Sequence, residues 1–196
     1  MIKVAGGVQS KFTNAIIKNI GKGHQMKISN IVATVKLAAP IDIGYLNQNI
    51  PGTVKDPKVH WLKYRIPENN SYVAFYQSGK FLITAKSFEQ IDKNVKYVLA
   101  VLKKIGISTN DWKLEIHNLV IGDTIDLPCT IEQLVANMDA KKSSFEPEQF
   151  AALIYKDWGV SFLLFSTGKV ILTGAKSLKQ ADDVLVKLRR LLKDLS

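Results

Sequence analysis

Cysteine and histidine are scarce in this chain of 196 residues. Its single cysteine, Cys129, excludes an internal disulfide bond and fits a reducing compartment. The three histidines, His24, His60 and His117, lie far apart in sequence, so no metal site is expected. No hydrophobic run reaches the length of a membrane span, and no signal peptide is recognisable. We therefore expect an intracellular protein without a membrane partner.

Signatures of catalysis are missing as well. No nucleophile stands near a candidate base, and no group of metal ligands is present. The segments 78–80 and 167–169 each contain a Gly-Lys pair, but they lack the glycine spacing of a phosphate-binding loop. Both also fall in predicted hairpins rather than before helices. The sequence predicts a protein that is not an enzyme and that uses no cofactor.

Acidic residues are outnumbered by basic ones. The chain has 17 Asp and Glu against 27 Lys and Arg, which gives a formal net charge of +10. An excess of this size favours a polyanionic partner, most often nucleic acid. The alternative is a basic protein without such a partner.

What the chain does contain is an internal repeat. Residues 162–176 read as two short strands joined by a tight turn, and residues 73–86 repeat this hairpin with one residue fewer. Tyr76 and Phe165 occupy equivalent positions, so the copies are offset by 89 residues. In a chain of this length, such a repeat indicates two copies of one structural unit.

Each copy begins with a predicted strand, at residues 27–37 and 114–122, that contains an asparagine. Asparagine is disfavoured in strands. Its presence at equivalent positions, Asn30 and Asn118, therefore indicates a role for the side-chain amide. The alternative is a local hydrogen bond from side chain to backbone. A short helix and another strand follow before each hairpin, at residues 41–49 and 61–66 and at residues 128–137 and 151–156.

A long helix closes each copy. Ser87 and Gln90, like Ser177 and Gln180, have the spacing of a capping box, and an apolar stripe follows at helical spacing. One layer of helices covers only one face of an antiparallel sheet, as in α+β domains. Because both faces of the hairpins are largely apolar, the sequence predicts a second apolar face that is open for binding. The alternative is a hairpin buried on both faces.

The repeat also divides the chain. Residues 1–25 form an N-terminal extension, residues 26–106 the first repeat, and residues 107–196 the second, with a linker at residues 107–113. Within the extension, residues 10–20 have the pattern of a short amphipathic helix. The alternative is a loosely attached tail.

Residues 27–196 resemble the core of the TATA-binding protein family. The motifs are SNIVATV at residues 29–35, FEPEQF at 145–150, LIY at 153–155 and FSTGKVILTGAK at 165–176. The resemblance implies two direct repeats that form a saddle-shaped, curved, ten-stranded antiparallel sheet covered by four helices. It also implies a general transcription initiation factor that binds and bends A·T-rich promoter DNA, the TATA box, through the minor groove. A transcription factor IIB-type protein and RNA polymerase would be its protein partners.

The resemblance assigns roles by position. Asn30 and Asn118 fall on base-contacting amides, which can donate to the acceptors in the minor groove of A·T pairs. Glu146 and Glu148 fall on acids that meet the transcription factor IIB-type partner. The other DNA-binding positions comprise apolar and threonine contacts to the groove floor, aromatic wedge positions that unstack a base step, and basic residues near phosphates. They are Val32, Val59, Arg65, Ala74, Tyr76, Lys80, Leu82, Thr84, Lys86, Val120, Phe150, Lys156, Leu163, Phe165, Lys169, Ile171, Thr173 and Lys176.

Departures from the family pattern are concentrated in the first repeat. Its wedge positions hold Val59 and Tyr76, whereas the second repeat has Phe150 and Phe165. In the second repeat, the turn at residues 157–159 is short. The alternative function is therefore an adaptor that binds proteins and has weak or no TATA specificity. The resemblance places the protein in the nucleus of a eukaryote, or in the cytoplasm for an archaeon or a cytoplasmic virus.

Overall fold

The structure is a computed structural model that describes residues 26–195. Within this range, no helix is long and apolar enough to cross a membrane. The predicted helix at residues 10–20 lies outside the described residues. The strands are β1 (Lys27–Leu37), β2 (Val54–Lys55), β3 (Trp61–Arg65), β4 (Tyr72–Tyr76), β5 (Lys80–Ala85), β6 (Trp112–Thr124), β7 (Ser143–Glu146), β8 (Phe150–Asp157), β9 (Val160–Phe165) and β10 (Lys169–Ala175). The helices are α1 (Ile43–Asn49), α2 (Phe88–Lys104), α3 (Ile131–Asn137) and α4 (Leu178–Asp194).

The ten strands form one antiparallel sheet, which confirms the predicted α+β class with its ten-stranded sheet and four helices. The chain separates into two compact units, called here the first unit (residues 30–117) and the second unit (residues 26–29 and 118–195) for their described parts. The strand order is β2-β3-β4-β5-β1 in the first repeat and β6-β10-β9-β8-β7 in the second. The same order of elements therefore occurs twice.

The long helices α2 and α4 begin as their sequences predict, with one difference. The Ser87 hydroxyl accepts a hydrogen bond from the backbone N–H of Gln90 at 3.1 Å. The side-chain oxygen of Gln90, however, accepts from the backbone N–H of Lys86 at 2.8 Å, one residue before the cap. Ser177 and Gln180 repeat this arrangement. The reciprocal bond of a capping box is thus shifted by one residue, and it still satisfies a backbone donor near the start of the helix.

Helix α2 packs on β5 and α4 packs on β10. Their apolar stripes are buried, as predicted, and the strand side chains beneath them have no access to solvent. This burial is the main source of stability for each unit, since apolar area removed from water contributes about 25 cal/mol per Å². The buried helix residues are Ile91, Asn94, Val95, Val98, Leu99 and Leu102 in α2, and Leu178, Ala181, Val184, Leu185, Leu188 and Leu192 in α4.

The opposite side of each sheet is different. Along β5, Phe81 and Ile83 are fully buried, whereas Leu82 and Thr84, which alternate with them, are only half-buried. The same alternation continues in β10, β9 and β1, because successive side chains of a strand point to opposite faces. The side that is left uncovered by the long helices, within residues 26–195, is called here the open face. The prediction of an open apolar face is therefore borne out, and the alternative of a hairpin buried on both sides is wrong.

Strands β8 and β9 are joined by two residues, Trp158 and Gly159, with φ of 51° and 75°. Two-residue hairpin turns of this kind place both central residues in the left-handed region. The Trp158 ring packs edge-on against Tyr155 and Phe162, at centroid distances of 6.0 and 6.1 Å. These contacts help to hold a non-glycine residue in a strained conformation.

Candidate nucleic-acid interface

The residues predicted to contact a groove floor lie on the open face of their unit. Cross-strand pairing brings Val32 opposite Thr84 in the first unit and Val120 opposite Thr173 in the second. All of these side chains are half-buried, so each offers part of its surface to a partner. The half-buried positions are Asn30, Val32, Leu82 and Thr84 in the first unit, and Asn118, Val120, Leu163, Ile171 and Thr173 in the second.

Ala74 is an exception among the predicted floor contacts. It lies on the open face by alternation, between its cross-strand partners Lys63 and Leu82. Its side chain is only 1% exposed, because the longer neighbours cover a single methyl group. Ala74 therefore contributes no contact surface of its own, contrary to the expectation from sequence.

The amide of Asn118 is held by the neighbouring strand β10. Its side-chain oxygen accepts a hydrogen bond from the backbone N–H of Gly174 at 2.7 Å. The Thr173 hydroxyl lies 3.3 Å from the amide nitrogen and 3.4 Å from the amide oxygen. The partners are 55 and 56 residues away in sequence, so these bonds are not the local ones considered as the alternative role. They leave the amide nitrogen of Asn118 with at least one N–H donor unused.

Asn30 has a different environment in the first unit. Among the described residues, none forms a hydrogen bond with its side chain. The threonine that corresponds to Thr173, Thr84, bonds to strand β4 instead. Its hydroxyl accepts from the backbone N–H of Tyr72 at 3.1 Å and lies 3.5 Å from the carbonyl oxygen of the same residue.

Two phenylalanines lie together on the open face of the second unit. Phe150, the first residue of β8, is 43% exposed, and its ring meets that of Phe165 edge-on at a centroid distance of 6.3 Å. Phe165 lies opposite Ala152 in the pairing of β8 with β9. Phe150 is thus one of the few exposed large apolar side chains among the described residues.

The matching place in the first unit has three aromatic rings. Tyr76 lies opposite Trp61, and their ring centroids are 5.9 Å apart. The Trp61 indole N–H donates to the Tyr72 hydroxyl at 2.9 Å. Burial, with a smaller contribution from the Tyr72 side chain, raises the pKa of Tyr76, which keeps its hydroxyl neutral. Val59 is half-buried in the turn before β3.

Trp61 and Tyr72 were not assigned a role by sequence reasoning. The signal was available in their alternation with buried Leu62 and Val73, which places them on the open face. Their mutual contact depends on the pairing register of β3 with β4, however, and the sequence does not state this register directly.

Unpaired positive charges flank the open faces. The lysines predicted to reach phosphates are all exposed, and within residues 26–195 none of them forms an ion pair. Lys63, by contrast, bonds Asp56 at 2.7 Å, which raises the pKa of Lys63 and lowers that of Asp56. Arg65 donates to the carbonyl oxygen of Asn70 at 3.0 Å and lies over the Tyr72 ring. The exposed lysines are Lys80, Lys86, Lys156, Lys169 and Lys176.

Two exposed acids lie at the edge strand of the second unit. Glu146 ends β7, and Glu148 lies in the turn that leads to β8. The turn is closed by a hydrogen bond from the Gln149 N–H to the Glu146 carbonyl oxygen at 2.9 Å. Their carboxylates are therefore available to a basic partner.

Helices on one side, and an open, largely apolar face with amide donors and free lysines on the other, define a class of sheet proteins that bind nucleic acid. A family model described as "Transcription factor TFIID (or TATA-binding protein, TBP)" matches residues 25–105 and 113–195. The chain belongs to the TATA-binding protein family. It is accordingly a DNA-binding general transcription initiation factor.

Archaeal proteins are among its relatives. A TATA-box-binding protein of Aeropyrum pernix is 34% identical over 175 residues, covering 87% of this chain and 85% of the relative. That of Sulfolobus acidocaldarius is 32% identical over 175 residues, covering 83% and 88%. The solved structure of Methanococcus jannaschii TBP matches with a TM-score of 0.77 and 28% identity, over 86% of this chain and 98% of that one.

Proposed function

We propose that this protein binds A·T-rich promoter DNA in the minor groove through its open faces and bends it with Phe150 and Phe165. The minor groove of A·T pairs presents only acceptors, which suit the amide donors of Asn118. Apolar side chains match a groove floor that lacks donors. Phenyl rings inserted between base pairs unstack one step at a cost of a few kcal/mol, and the additional wrapped surface offsets this cost.

The observation that carries this proposal is the exposed Phe150–Phe165 pair on a half-buried apolar face. A solvated face of a monomeric protein would not be expected to keep two phenylalanines together at its surface. The unpaired lysines supply the second half of the interface, since phosphate contacts provide most of the affinity without sequence preference.

In the same proposal, exposed Glu146 and Glu148 receive a transcription factor IIB-type protein, which brings RNA polymerase to the promoter. The protein would then act inside the cell, wherever the DNA template is. Addition of the transcription factor IIB-type protein from the same source to the DNA complex tests this part, because a larger complex should form on the same duplex.

The direct test is fluorescence anisotropy with an A·T-rich and a G·C-rich duplex of equal length over a series of salt concentrations. We expect tighter binding to the A·T-rich duplex and an affinity that falls with salt. Each lysine that neutralises a phosphate adds about −0.9 to the slope of log K against log salt, so Lys169→Ala should reduce the slope by about that amount. Equal, weak binding to both duplexes would contradict the proposal and favour a protein-binding adaptor.

A further inference from the structure

We propose that Gly174 and Thr173 are positioning residues that fix the amide of Asn118 with its N–H donors toward the DNA. As a result, the second unit rejects G·C pairs, whereas the first unit, where Asn30 has no such partners, tolerates them. This inference rests on the proposed binding to the minor groove. Beyond that proposal, it identifies the second unit as the one that discriminates between base pairs, and the N–H donors of Asn118 as the atoms responsible.

The orientation of the Asn118 amide follows from the chemistry of its partner. A backbone N–H can only donate, so the group 2.7 Å from the Gly174 nitrogen must be the amide oxygen. A flipped amide would place two donors against each other. The side-chain nitrogen therefore points away from this bond.

The N–H of Gly174 is available because β10 contains one extra residue at this point. Thr173 lies opposite Val120 and Ala175 opposite Leu119, which leaves Gly174 between them without a partner in the ladder. A residue inserted in this way forms a β-bulge. Gly174 has a φ of +100°, a conformation that glycine adopts readily and other residues rarely do.

The first unit has no such bulge. Thr84 lies opposite Val32 and Ala85 opposite Ile31, so the pairing continues without an extra residue. No extra residue interrupts the pairing of β5 with β1 here, and the Thr84 hydroxyl is engaged with Tyr72. Nothing among the described residues fixes which end of the Asn30 amide faces outward.

The difference matters because of what the two kinds of base pair display. A·T and T·A pairs show only acceptors in the minor groove, whereas a G·C pair adds the amino group of guanine, a donor. The fixed N–H donors of Asn118 would meet that amino group donor against donor, and both would be left unpaired. Asn30 can rotate its amide and accept from the guanine amino group through its oxygen.

A set of duplexes isolates this effect. Each base pair of an A·T-only site is replaced in turn by G·C or by inosine–cytosine, which lacks the guanine amino group. For the wild type we expect G·C, but not inosine–cytosine, to lower affinity about tenfold at the base pairs under Asn118. Asn118→Ala should remove this penalty. The matched variant Asn30→Ala should lower affinity for all duplexes and keep the penalty.

Three variants test the positioning role itself. Thr173→Val removes one partner of the amide. Deletion of Gly174 removes the bulge, so that β10 has the same number of residues at this point as β5. Both should reduce the G·C penalty, which is the loss of affinity when A·T is replaced by G·C, by about threefold or more. The ratio of affinities for inosine–cytosine and A·T duplexes should stay as in the wild type. Insertion of glycine between Thr84 and Ala85 should create a second set of base pairs at which G·C is rejected. Circular dichroism melts confirm that each variant is folded.

The result that would overturn the inference is a G·C penalty that persists in Thr173→Val and does not appear at new positions in the insertion variant. An Asn30→Ala variant that loses as much discrimination as Asn118→Ala would overturn it as well. In both cases the wild type would still prefer A·T, so the proposed function would stand. A wild type without any A·T preference would contradict both.

Discussion

The two units share the pairing register of β3 with β4 and of β8 with β9 but differ in the aromatic group on the open face. Leu62 pairs with Phe75 in the first unit as Leu153 pairs with Leu164 in the second, so the strands correspond residue by residue. On the open face, the second unit presents two phenyl rings without polar atoms. The first presents Trp61 tied to Tyr72 by a hydrogen bond, with Tyr76 against it. The repeat has thus kept its core while its binding surfaces diverged.

The divergence continues beside the rings. Lys63 of the first unit corresponds to Ile154 of the second, and Lys63 is bonded to Asp56. The open face of the first unit is therefore more polar and more internally bonded. The Trp61 ring would have to break its hydrogen bond to Tyr72 to enter DNA, at about 1 kcal/mol or more, and Tyr76 would have to leave its contact with Trp61. We infer that the second unit supplies the wedge and that the first lies on DNA with little insertion.

The largest expected effect is the loss of bending when both phenylalanines are replaced. In Phe150→Ala/Phe165→Ala, neither predicted wedge position of the second unit keeps a ring that could unstack a base step. We expect most of the bend to disappear, measured by fluorescence energy transfer between dyes at the ends of a bound duplex. Because Phe150 is 43% exposed, its own replacement should cost less stability than the ~3–5 kcal/mol of a buried phenylalanine.

The matched control is the double variant Trp61→Ala/Tyr76→Ala in the first unit. It removes a similar aromatic area from the corresponding place. The bend should be largely kept, while affinity falls because contact surface is lost. Equal straightening by the two double variants would show that both units insert rings, and the comparison drawn above would be wrong.

The fold was largely predictable because its signals are local and repeated. The helical layer is predictable from Ser87 and Ser177, one at the start of each long helix, and from the apolar stripes that follow them. The open face is predictable from the alternation along β5 and β10. The shifted capping bond from the Lys86 N–H was not predictable. The spacing of Ser87 and Gln90 lets the Gln90 oxygen accept from the N–H of either Ser87 or Lys86.

The residues of the candidate site could be predicted from the sequence, but the contacts between them could not. Asn118 stood out as an asparagine within a strand, yet its bond to Gly174 depends on a bulge that shows in the sequence only as one additional residue. The place of Trp61 cannot be predicted from the sequence, because it depends on facing Tyr76 and bonding Tyr72 across strands. Ala74 was included because alternation cannot show that long neighbours cover a methyl group.

A smaller effect is expected when the second unit's arrangement is rebuilt in the first. Val59 corresponds to Phe150, and Trp61 to Ala152, by the shared register. Val59→Phe/Trp61→Ala should place a phenyl ring beside Tyr76, free of the indole that fills this place now. We expect a moderate increase in bending in the energy-transfer assay. Val59→Phe alone should do less, because Trp61 still occupies the space. No increase in the double variant would show that residues other than these decide where DNA bends.

The smallest effect is expected for Val59→Ala. Valine is short and branched at Cβ, so it does not reach between base pairs as a phenyl ring does. Val59 is also half-buried in a turn that is closed by its own backbone N–H, which donates to the Asp56 carbonyl oxygen at 3.2 Å and is unaffected by the side chain. We expect the bend to be unchanged and the free energy of unfolding to change by about 0.5–1 kcal/mol. If this single substitution straightened the DNA as much as the loss of Phe150 and Phe165, Val59 would be a wedge after all. The contrast between the units would then have to be sought in Asn30 and Asn118 rather than in the rings.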